Sequence, residues 1–162
     1  MMRLLHTVPY LIPEAGGPAR SVPNLCTALA QQGHQVDLVS CDYGDQFARP
    51  LLPPTSVKTQ LVPIGLRLGL GSLWEPQLNR RLTTTVAEQG VQLIHNHVLW
   101  LPFNYVSVRA ARRNNLPHII STRGMVSRWA MSQSRLKKQL AWRLFQNRDL
   151  QTAAFLHTTS ED

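Results

Sequence analysis

Short apolar segments rich in β-branched residues alternate along this chain of 162 residues with longer stretches in which apolar residues recur at helical spacing. The alternation is typical of a parallel β-sheet whose strands are joined by crossover helices. Six segments read as strands: residues 2–8, 35–40, 57–62, 91–95, 118–122 and 155–158. The sequence therefore predicts an α/β fold, a doubly wound, Rossmann-like parallel sheet with helices on both faces.

Amphipathic stretches between these strands predict helices at residues 20–32, 76–89, 102–114 and 127–152. The last helix is long and basic, and its apolar side chains at i, i+4 spacing are expected to pack inward. They are Leu136, Leu140, Ala141, Leu144 and Phe145. The polar residues 41–56 are expected to form an exposed loop and the glycine-rich residues 64–72 a mobile one. With 43% hydrophobic residues, the chain is expected to form one domain over residues 1–162.

A glycine pair, Gly16-Gly17, lies between the first predicted strand and the first predicted helix. Glycine lets the backbone approach a ligand closely, and amide groups at a helix N-terminus attract anions. The pair is therefore a candidate phosphate site, with Arg20 as a second candidate ligand, and a pair that serves turn geometry alone is the alternative. The GxGxxG and Walker GxxxxGK[ST] motifs are absent from the sequence, so NAD binding and ATP hydrolysis are not supported.

The fourth predicted strand ends in His95-Asn96-His97, and alternation places the two histidines on one side of the sheet and Asn96 on the other. His97 is nearest the carboxyl end, where ligands collect in open α/β sheets. A histidine there can donate to a substrate hydroxyl or stabilise developing charge, because its reference pKa is about 6.5. His95 reads as structural, which is also the alternative for His97. No metal site is predicted, because no further zinc ligands can be named.

The fifth predicted strand is followed by Ser121-Thr122-Arg123-Gly124. This turn offers two hydroxyls, a guanidinium group and a glycine, a combination that suits a phosphate or the hydroxyls of a sugar. A solvated surface arginine is the alternative interpretation of Arg123.

The net charge of +8 is concentrated, because residues 89–148 hold no aspartate or glutamate while most of the arginines lie there. Such a field attracts phosphates on nucleotides or on lipid headgroups. Together with Trp129 and Trp142 it also fits a different class of protein, a basic α/β binding module that docks on an anionic membrane or on phosphorylated ligands. A nucleic-acid partner is not predicted, since no recognition module is present in the sequence.

The N-terminal residues do not read as a signal peptide, because Pro9 and Pro13 interrupt the apolar stretch. No segment reaches the roughly 18 apolar residues that a membrane-spanning helix needs. The chain is therefore expected to be cytoplasmic, or peripheral on the inner face of the membrane. Cys26 and Cys41 are expected to be buried, reduced thiols.

Five motifs occur in order over nearly the whole chain: GGPARSV (16–22), GHQV (33–36), VQLIHNHVLW (91–100), STRGM (121–125) and LHTTSE (156–161). Together they resemble the N-terminal domains of family 4 of the retaining glycosyltransferases, enzymes with the two-domain GT-B fold. The RGM turn before a basic helix resembles members that build surface polysaccharides. The resemblance implies transfer of a sugar from a nucleotide diphosphate sugar to a glycan or lipid-linked acceptor, with no metal or other cofactor required.

The resemblance also implies roles for individual residues. Gly16, Gly17 and Arg20 would bind the donor diphosphate, and His97 would be the catalytic residue beside the transferred sugar.

On the acceptor side, the resemblance implies roles for Arg123, Thr122 and Asn96. The family has a C-terminal donor-binding domain, and we expect it to be absent from these 162 residues. The chain by itself is therefore expected to transfer no sugar.

Overall fold

A computed structural model describes residues 1–44, 48–63 and 76–159. Its centre is a six-stranded sheet of β1 (Arg3–Thr7), β2 (Gln35–Asp42), β3 (Lys58–Pro63), β4 (Leu93–His97), β5 (His118–Ser121) and β6 (Phe155–His157). The helices are α1 (Gly17–Gln31), α2 (Pro76–Gln89), α3 (Pro102–Arg113), α4 (Arg128–Ser132), α5 (Arg135–Ala141) and α6 (Asn147–Thr152). The predicted loop at residues 64–72 lies outside the described residues.

The strands lie in the order β3-β2-β1-β4-β5-β6, and every neighbouring pair is parallel. This is the strand order of the Rossmann fold, so the predicted fold class is confirmed. The order reverses between β1 and β4, where the register pairs His6 with His95 and Thr7 with Asn96. Connections leave these two strands in opposite directions, and a crevice therefore opens at their carboxyl ends.

Helices cover both faces of the sheet, as the α/β pattern predicts. Helices α2 and α3 pack against one face, where Leu5 of β1 and Ile94 of β4 are fully buried. Helix α1 packs against the other face, over Leu4 of β1 and Leu38 of β2. Because side chains alternate along a strand, the even-numbered residues of β1 and the odd-numbered residues of β4 lie on the α1 face.

Helix α1 begins at Gly17, three residues earlier than the sequence predicts. Gly16 precedes it with φ 79° and ψ −144°, a conformation that glycine alone adopts readily. Pro18 follows in the first turn, where its missing N–H costs nothing. The chain thus enters the helix through a sharp glycine turn, and the predicted turn residues become part of the helix.

The prediction of one continuous helix over residues 127–152 is wrong. Ser134, with φ 51°, separates α4 from α5, and a π-helical turn at Trp142–Gln146 joins α5 to α6. The buried residues of this region are Ala141, Phe145, Gln146 and Asp149, and three of them, Ala141, Phe145 and Asp149, lie at i, i+4 and i+8.

Two of the leucines predicted to pack inward, Leu140 and Leu144, precede the buried Ala141 and Phe145 by one residue, a rotation of about 100° around a helix, and Leu136 lies four residues before Leu140. Leu136, Leu140 and Leu144 are consequently 81%, 46% and 57% exposed. The inward prediction is therefore correct for Ala141 and Phe145 and wrong for the leucines.

Cys26 and Cys41 are both buried, as expected. Within the described parts of the chain, no helix combines the length and the apolar character needed to cross a membrane.

Candidate active site

The crevice between β1 and β4 brings together three segments of the chain: the N-terminus of α1, the ends of the two strands and the turn after β5. Gly17 opens the helix, and the first turn leaves the amides of Gly17 and Ala19 without partners inside the helix. The N–H of Gly16 is already used, since it donates to the carbonyl of Pro13 at 3.1 Å. A side-chain cap is absent at this end of α1, so a ligand can take its place.

Space is open above the glycine pair. A methyl group added at Gly16 or at Gly17 would meet no atom within 4 Å. Arg20, in the first turn of the same helix, is exposed. The three residues predicted to bind a diphosphate therefore lie together around an open helix N-terminus, and their role stays a prediction.

Three buried histidines form the floor beside this helix end. His6 of β1 and His97 of β4 are hydrogen-bonded, with 3.1 Å between Nδ1 of His6 and Nε2 of His97. The ring of His95 lies 4.1 Å from that of His97 and 5.0 Å from that of His6, between centroids. Because all three are on the α1 face, the strand register alone brings them together. We call these three residues the histidine cluster.

Arg123 covers the histidine cluster. Its guanidinium donates to Nδ1 of His97 at 3.2 Å and to Oγ of Ser21, in α1, at 3.1 Å. Arginine has no acceptor, so Nδ1 of His97 must carry the lone pair. The proton of neutral His97 then lies on Nε2, which donates it to Nδ1 of His6. The hydrogen bonds therefore run in one direction, from Arg123 through His97 to His6.

Burial is the main cause of the low pKa values in this cluster. Burial, together with the nearby His95 and Arg123, lowers the pKa of His6 to about 3. Burial and the neighbouring His157 and Arg123 lower the pKa of His95 to about 4, and the pKa of His97 also lies well below its ordinary value because of burial and the surrounding histidines. All three imidazoles are therefore neutral at pH 7.

A second hydrogen-bonded path leads from the cluster to the surface. Nε2 of His95 lies 2.7 Å from Oγ of Ser121, which lies 2.7 Å from Nδ1 of His157 on the exposed edge strand β6. The Ser121 hydroxyl has a single proton, so it donates to one histidine and accepts from the other. Strands β4, β5 and β6 are thus linked by polar side chains on the α1 face.

Backbone strain is concentrated in the same place. Val98 and Trp100, directly after β4, have φ values of 68° and 70°, and Arg123 has a φ of 52°. A positive φ is uncommon for any residue other than glycine and a true outlier for a β-branched one. Partners hold the segment: the N–H of Val98 donates to Ser121 at 3.0 Å and that of Trp100 to the side chain of Gln146 at 2.9 Å. Strain of this kind clusters at functional sites.

The predicted site residues differ in how they meet the crevice. His97 is 0% exposed and lies under Arg123, which is half-buried. Thr122 is buried, and its N–H donates to the carbonyl of His157 at 3.1 Å. Asn96 is buried on the opposite face, as alternation predicts.

On that face, Oδ1 of Asn96 lies 2.9 Å from Oγ1 of Thr7 and accepts a bond from Asn104 at 3.2 Å. Of the predicted acceptor residues, Arg123 therefore has the most direct access to the crevice, and the roles of all three stay predictions. His6 was missed. A signal for it was present, since it lies near the carboxyl end of the first predicted strand, residues 2–8, and the same rule pointed to His97 after the fourth.

The histidine cluster has the composition of a metal site, because its candidate ligand atoms all lie within 4.8 Å of one another. The hydrogen bonds argue for a different use. Nδ1 of His97 is occupied by the Arg123 cation, and its Nε2–H is donated to His6. A cation bound at these nitrogens would have to displace those bonds beside a guanidinium of like charge. The prediction that no metal is required is consistent with this geometry and stays a prediction.

The chain is a Rossmann-like α/β domain whose switch point holds an open helix N-terminus and a nearby guanidinium group. The family is shown by comparison: the glycosyl transferase 4-like domain matches residues 16–162. The chain belongs to this family, so the predicted family membership is confirmed. A comparison with curated proteins found no match.

Solved structures agree on the fold. Sucrose-phosphate synthase from Thermosynechococcus elongatus matches 96% of this chain with a TM-score of 0.69 and 17% identity. MurG from Acinetobacter baumannii matches 98% with a TM-score of 0.61 and 13% identity, and UDP-GlcNAc 2-epimerase from Methanocaldococcus jannaschii matches 99% with 0.61 and 9%. This chain covers only 42%, 41% and 40% of the respective proteins. It therefore corresponds to one half of a GT-B architecture.

Proposed function

We propose that this chain is the acceptor-side half of a retaining glycosyltransferase that uses a nucleotide diphosphate sugar. One observation carries the proposal: the Arg123 guanidinium lies between His97 and Ser21, at 3.2 Å and 3.1 Å from their side chains. It joins the histidine cluster to α1 at Ser21, about one helical turn after the open N-terminus at Gly17. A permanent cation beside unpaired helix amides is an arrangement suited to a diphosphate.

The charge that develops during sugar transfer supports the same function. When the bond between the sugar and the diphosphate breaks, negative charge builds up on the departing diphosphate, and groups that stabilise it speed the reaction. The amide of Gly17, the positive end of α1 and the side chains of Arg20 and Arg123 would supply this stabilisation without a metal ion. In the retaining reaction, the acceptor hydroxyl bonds to the sugar on the face that the diphosphate leaves, and its proton passes to the departing phosphate.

His97 can take part only if Arg123 moves, because the guanidinium covers its Nδ1 and the side chain is 0% exposed. A diphosphate at the N-terminus of α1 would draw the guanidinium away from His97, toward the side on which Ser21 already lies. Nδ1 would then be free to accept a hydrogen bond from a substrate hydroxyl. In this view Arg123 couples donor binding to exposure of the catalytic histidine.

A C-terminal donor-binding domain is part of the proposal. The chain covers 40–42% of the proteins that it matches, and Phe155 on the edge strand β6 is 69% exposed. An apolar side chain on an edge strand is expected to be covered in the complete protein. We therefore expect that the 162 residues alone transfer no sugar, and that the acceptor is a glycan or lipid-linked sugar used in surface polysaccharide synthesis.

The decisive experiment measures binding of UDP, GDP and ADP to the purified chain by calorimetry, with the variants R123Q and R128Q. Arg128 is exposed at the start of α4, so R128Q removes the same charge away from the crevice. We expect R123Q to weaken binding on the order of tenfold, in line with the loss of one charge-assisted contact, and R128Q to bind as the parent does. Equal binding by all three proteins would remove the observation on which the proposal rests, and sugar turnover by the chain alone would refute its dependence on a second domain.

A second role, docking on an anionic membrane, is favoured by the exposed apolar side chains of α4 and α5. Trp129 and Leu136 are 75% and 81% exposed, and lysines and arginines surround them. Apolar and indole side chains among cations are the composition that binds the interface of an anionic bilayer. Peripheral association with the inner face of the cytoplasmic membrane would bring the crevice close to a lipid-linked acceptor.

Vesicle flotation tests this second role. Binding should rise with the content of phosphatidylglycerol, and the double variant W129S/L136S should lose it. The control L52S removes a leucine that is 54% exposed outside this region. Flotation that is equal for the parent and the double variant would contradict membrane docking without affecting the transferase proposal.

A further inference from the structure

A second basic site lies away from the crevice, between α3, the π-helical turn and α6. It is a groove of about 380 Å³, and its lining includes four arginines: Arg109, Arg112, Arg113 and Arg148. Helix α3 starts at the carboxyl edge of the sheet and runs back across it, so the arginines at its C-terminal end lie toward the opposite edge. The groove is therefore distinct from the histidine cluster and the N-terminus of α1.

The cations of this groove are poorly neutralised. Asp149 is the single acidic residue in its lining, and it pairs with Arg112 at 3.6 Å. In the described part of the chain no other ion pair within 4 Å involves the remaining three arginines. Arg109 instead lies 6.0 Å from the centre of the Tyr105 ring. Such a grouping of arginines favours an anion that can accept several hydrogen bonds at once.

Asp149 contributes to the groove a buried carboxyl group that makes no hydrogen bond. Its side chain is 1% exposed and lines the groove, yet neither carboxyl oxygen has a hydrogen-bond partner. Burial raises the pKa of Asp149 to about 7, against the opposing effect of Arg112 and Arg148. Near pH 7 a protonated carboxyl group can donate to an anion oxygen, which would give this buried group a hydrogen bond that it lacks within the protein.

Part of the lining is apolar. Tyr105 and Phe145 are in contact, with ring centres 5.4 Å apart, and Leu144, next to Phe145 in the chain, is 57% exposed. The groove is larger than a single phosphate needs and falls within the usual size range of ligand pockets. A ligand that fills it would combine an anionic group with an apolar or planar portion.

We propose that this groove binds a phosphate ester, with the arginines on the phosphate group and the Asp149 carboxyl group on one of its oxygens. The phosphate could belong to a soluble organic phosphate or to a lipid headgroup, because both present the same oxygens to the arginines. The proposal does not depend on glycosyl transfer. It gives the four arginines a ligand, whereas in the alternative they are only exposed to solvent.

Amide NMR shifts test the proposal, because they report the groove and the crevice separately. Inorganic pyrophosphate and phosphatidylglycerol vesicles serve as the two probes. We expect pyrophosphate to shift the amides of Arg109, Arg112 and Arg148. The double variant R109Q/R148Q should weaken this binding on the order of tenfold, whereas R80Q/R81Q, with the same loss of charge on the exposed surface of α2, should not.

Each outcome decides the question. Binding of both probes through the groove arginines supports a site for any phosphate ester, and binding of vesicles alone, if lost in R109Q/R148Q, assigns the phosphate to a lipid headgroup. Equal weakening by both double variants, or no shift at the groove with either probe, would overturn the proposal. A further variant, D149N, keeps a donor and removes the charge that faces Arg112, Arg148 and the neighbouring His118. It should bind pyrophosphate several-fold more tightly than the parent at pH 8, and weaker binding would also count against the proposed contact.

Discussion

Acid should destabilise this domain through the histidine cluster. The pKa of His6 is lowered to about 3 and that of His95 to about 4, mainly by burial, and that of His97 lies well below 6.5. In the unfolded chain each histidine titrates near its reference value of about 6.5. The unfolded state therefore binds more protons than the folded state at pH values below about 6.5, so the free energy of unfolding falls as the pH falls. The loss continues to about pH 4 for His95 and about pH 3 for His6.

The magnitude follows from the proton uptake of the unfolded chain. Between pH 7 and pH 5, one histidine that stays neutral in the fold costs about 2 kcal/mol, so His6 and His95 together cost about 4 kcal/mol. Asp149 acts in the opposite direction, because its pKa is raised to about 7 and the folded state takes up its proton first. This offsets about 2 kcal/mol over the same interval, which leaves a net loss of about 2 kcal/mol from these three groups. The lowered pKa of His97 acts in the same direction as those of His6 and His95.

Urea unfolding at pH 7 and at pH 5, followed by circular dichroism, measures this loss. The variant H6Q isolates one histidine, because glutamine can accept the hydrogen bond from His97 but cannot be protonated. We expect H6Q to lose about 2 kcal/mol less than the parent between the two pH values. H34Q is the control, since it removes a histidine outside the cluster. If the parent and H6Q lost the same stability on acidification, His6 could not be a neutral, buried imidazole in the fold.

Three further predictions concern stability. G16A should cost about 1–3 kcal/mol in urea unfolding despite the open space around it, because φ is 79° there, whereas G17A in the first helical turn should cost less than 1 kcal/mol. N104A should cost about 2–4 kcal/mol, because it removes the donor to Asn96 and to the carbonyl of His97, while N114A at the exposed end of α3 should cost less than half as much. Cys26, whose pKa burial raises to about 12, should react with iodoacetamide only as fast as the domain opens, so mass spectrometry that finds rapid labelling of the folded protein would contradict its burial.

The fold could be predicted from the sequence because the periodicity of apolar residues indicates which faces of a strand or helix are buried. Continuous apolar runs such as Leu38-Val39 predict strands covered on both sides, and the structure buries both residues fully. The prediction for the last helical region, residues 127–152, was wrong about its leucines for a physical reason. Leu136, Leu140 and Leu144 repeat every four residues, as a buried stripe does, but a leucine repeat cannot indicate which stripe of a helix meets the core.

The candidate site was accessible only in part. Spacing identifies Gly16-Gly17 and the end of β4, because both follow from the rule that ligands meet the carboxyl ends of strands. Spacing does not reveal that Arg123 donates to His97, or that His97 in turn donates to His6. These two hydrogen bonds join residues that are 26 and 91 positions apart in the sequence. Strand order brings them together, and strand order is fixed by packing of the whole sheet.

Features that are unfavourable for folding are unevenly distributed in this domain, and their position indicates where the functional site lies. Three buried histidines that must stay neutral, and positive φ values at Val98, Trp100 and Arg123, lie at or near the carboxyl ends of β1, β4 and β5. Each is unfavourable for folding, and apolar side chains would fill the same space at lower cost. A sheet that needed only stability would have no reason to keep them at its switch point. Under the proposed function, the Arg123 guanidinium, which contacts His97 and Ser21, would supply that reason, because an anion bound at the N-terminus of α1 would draw it away from His97.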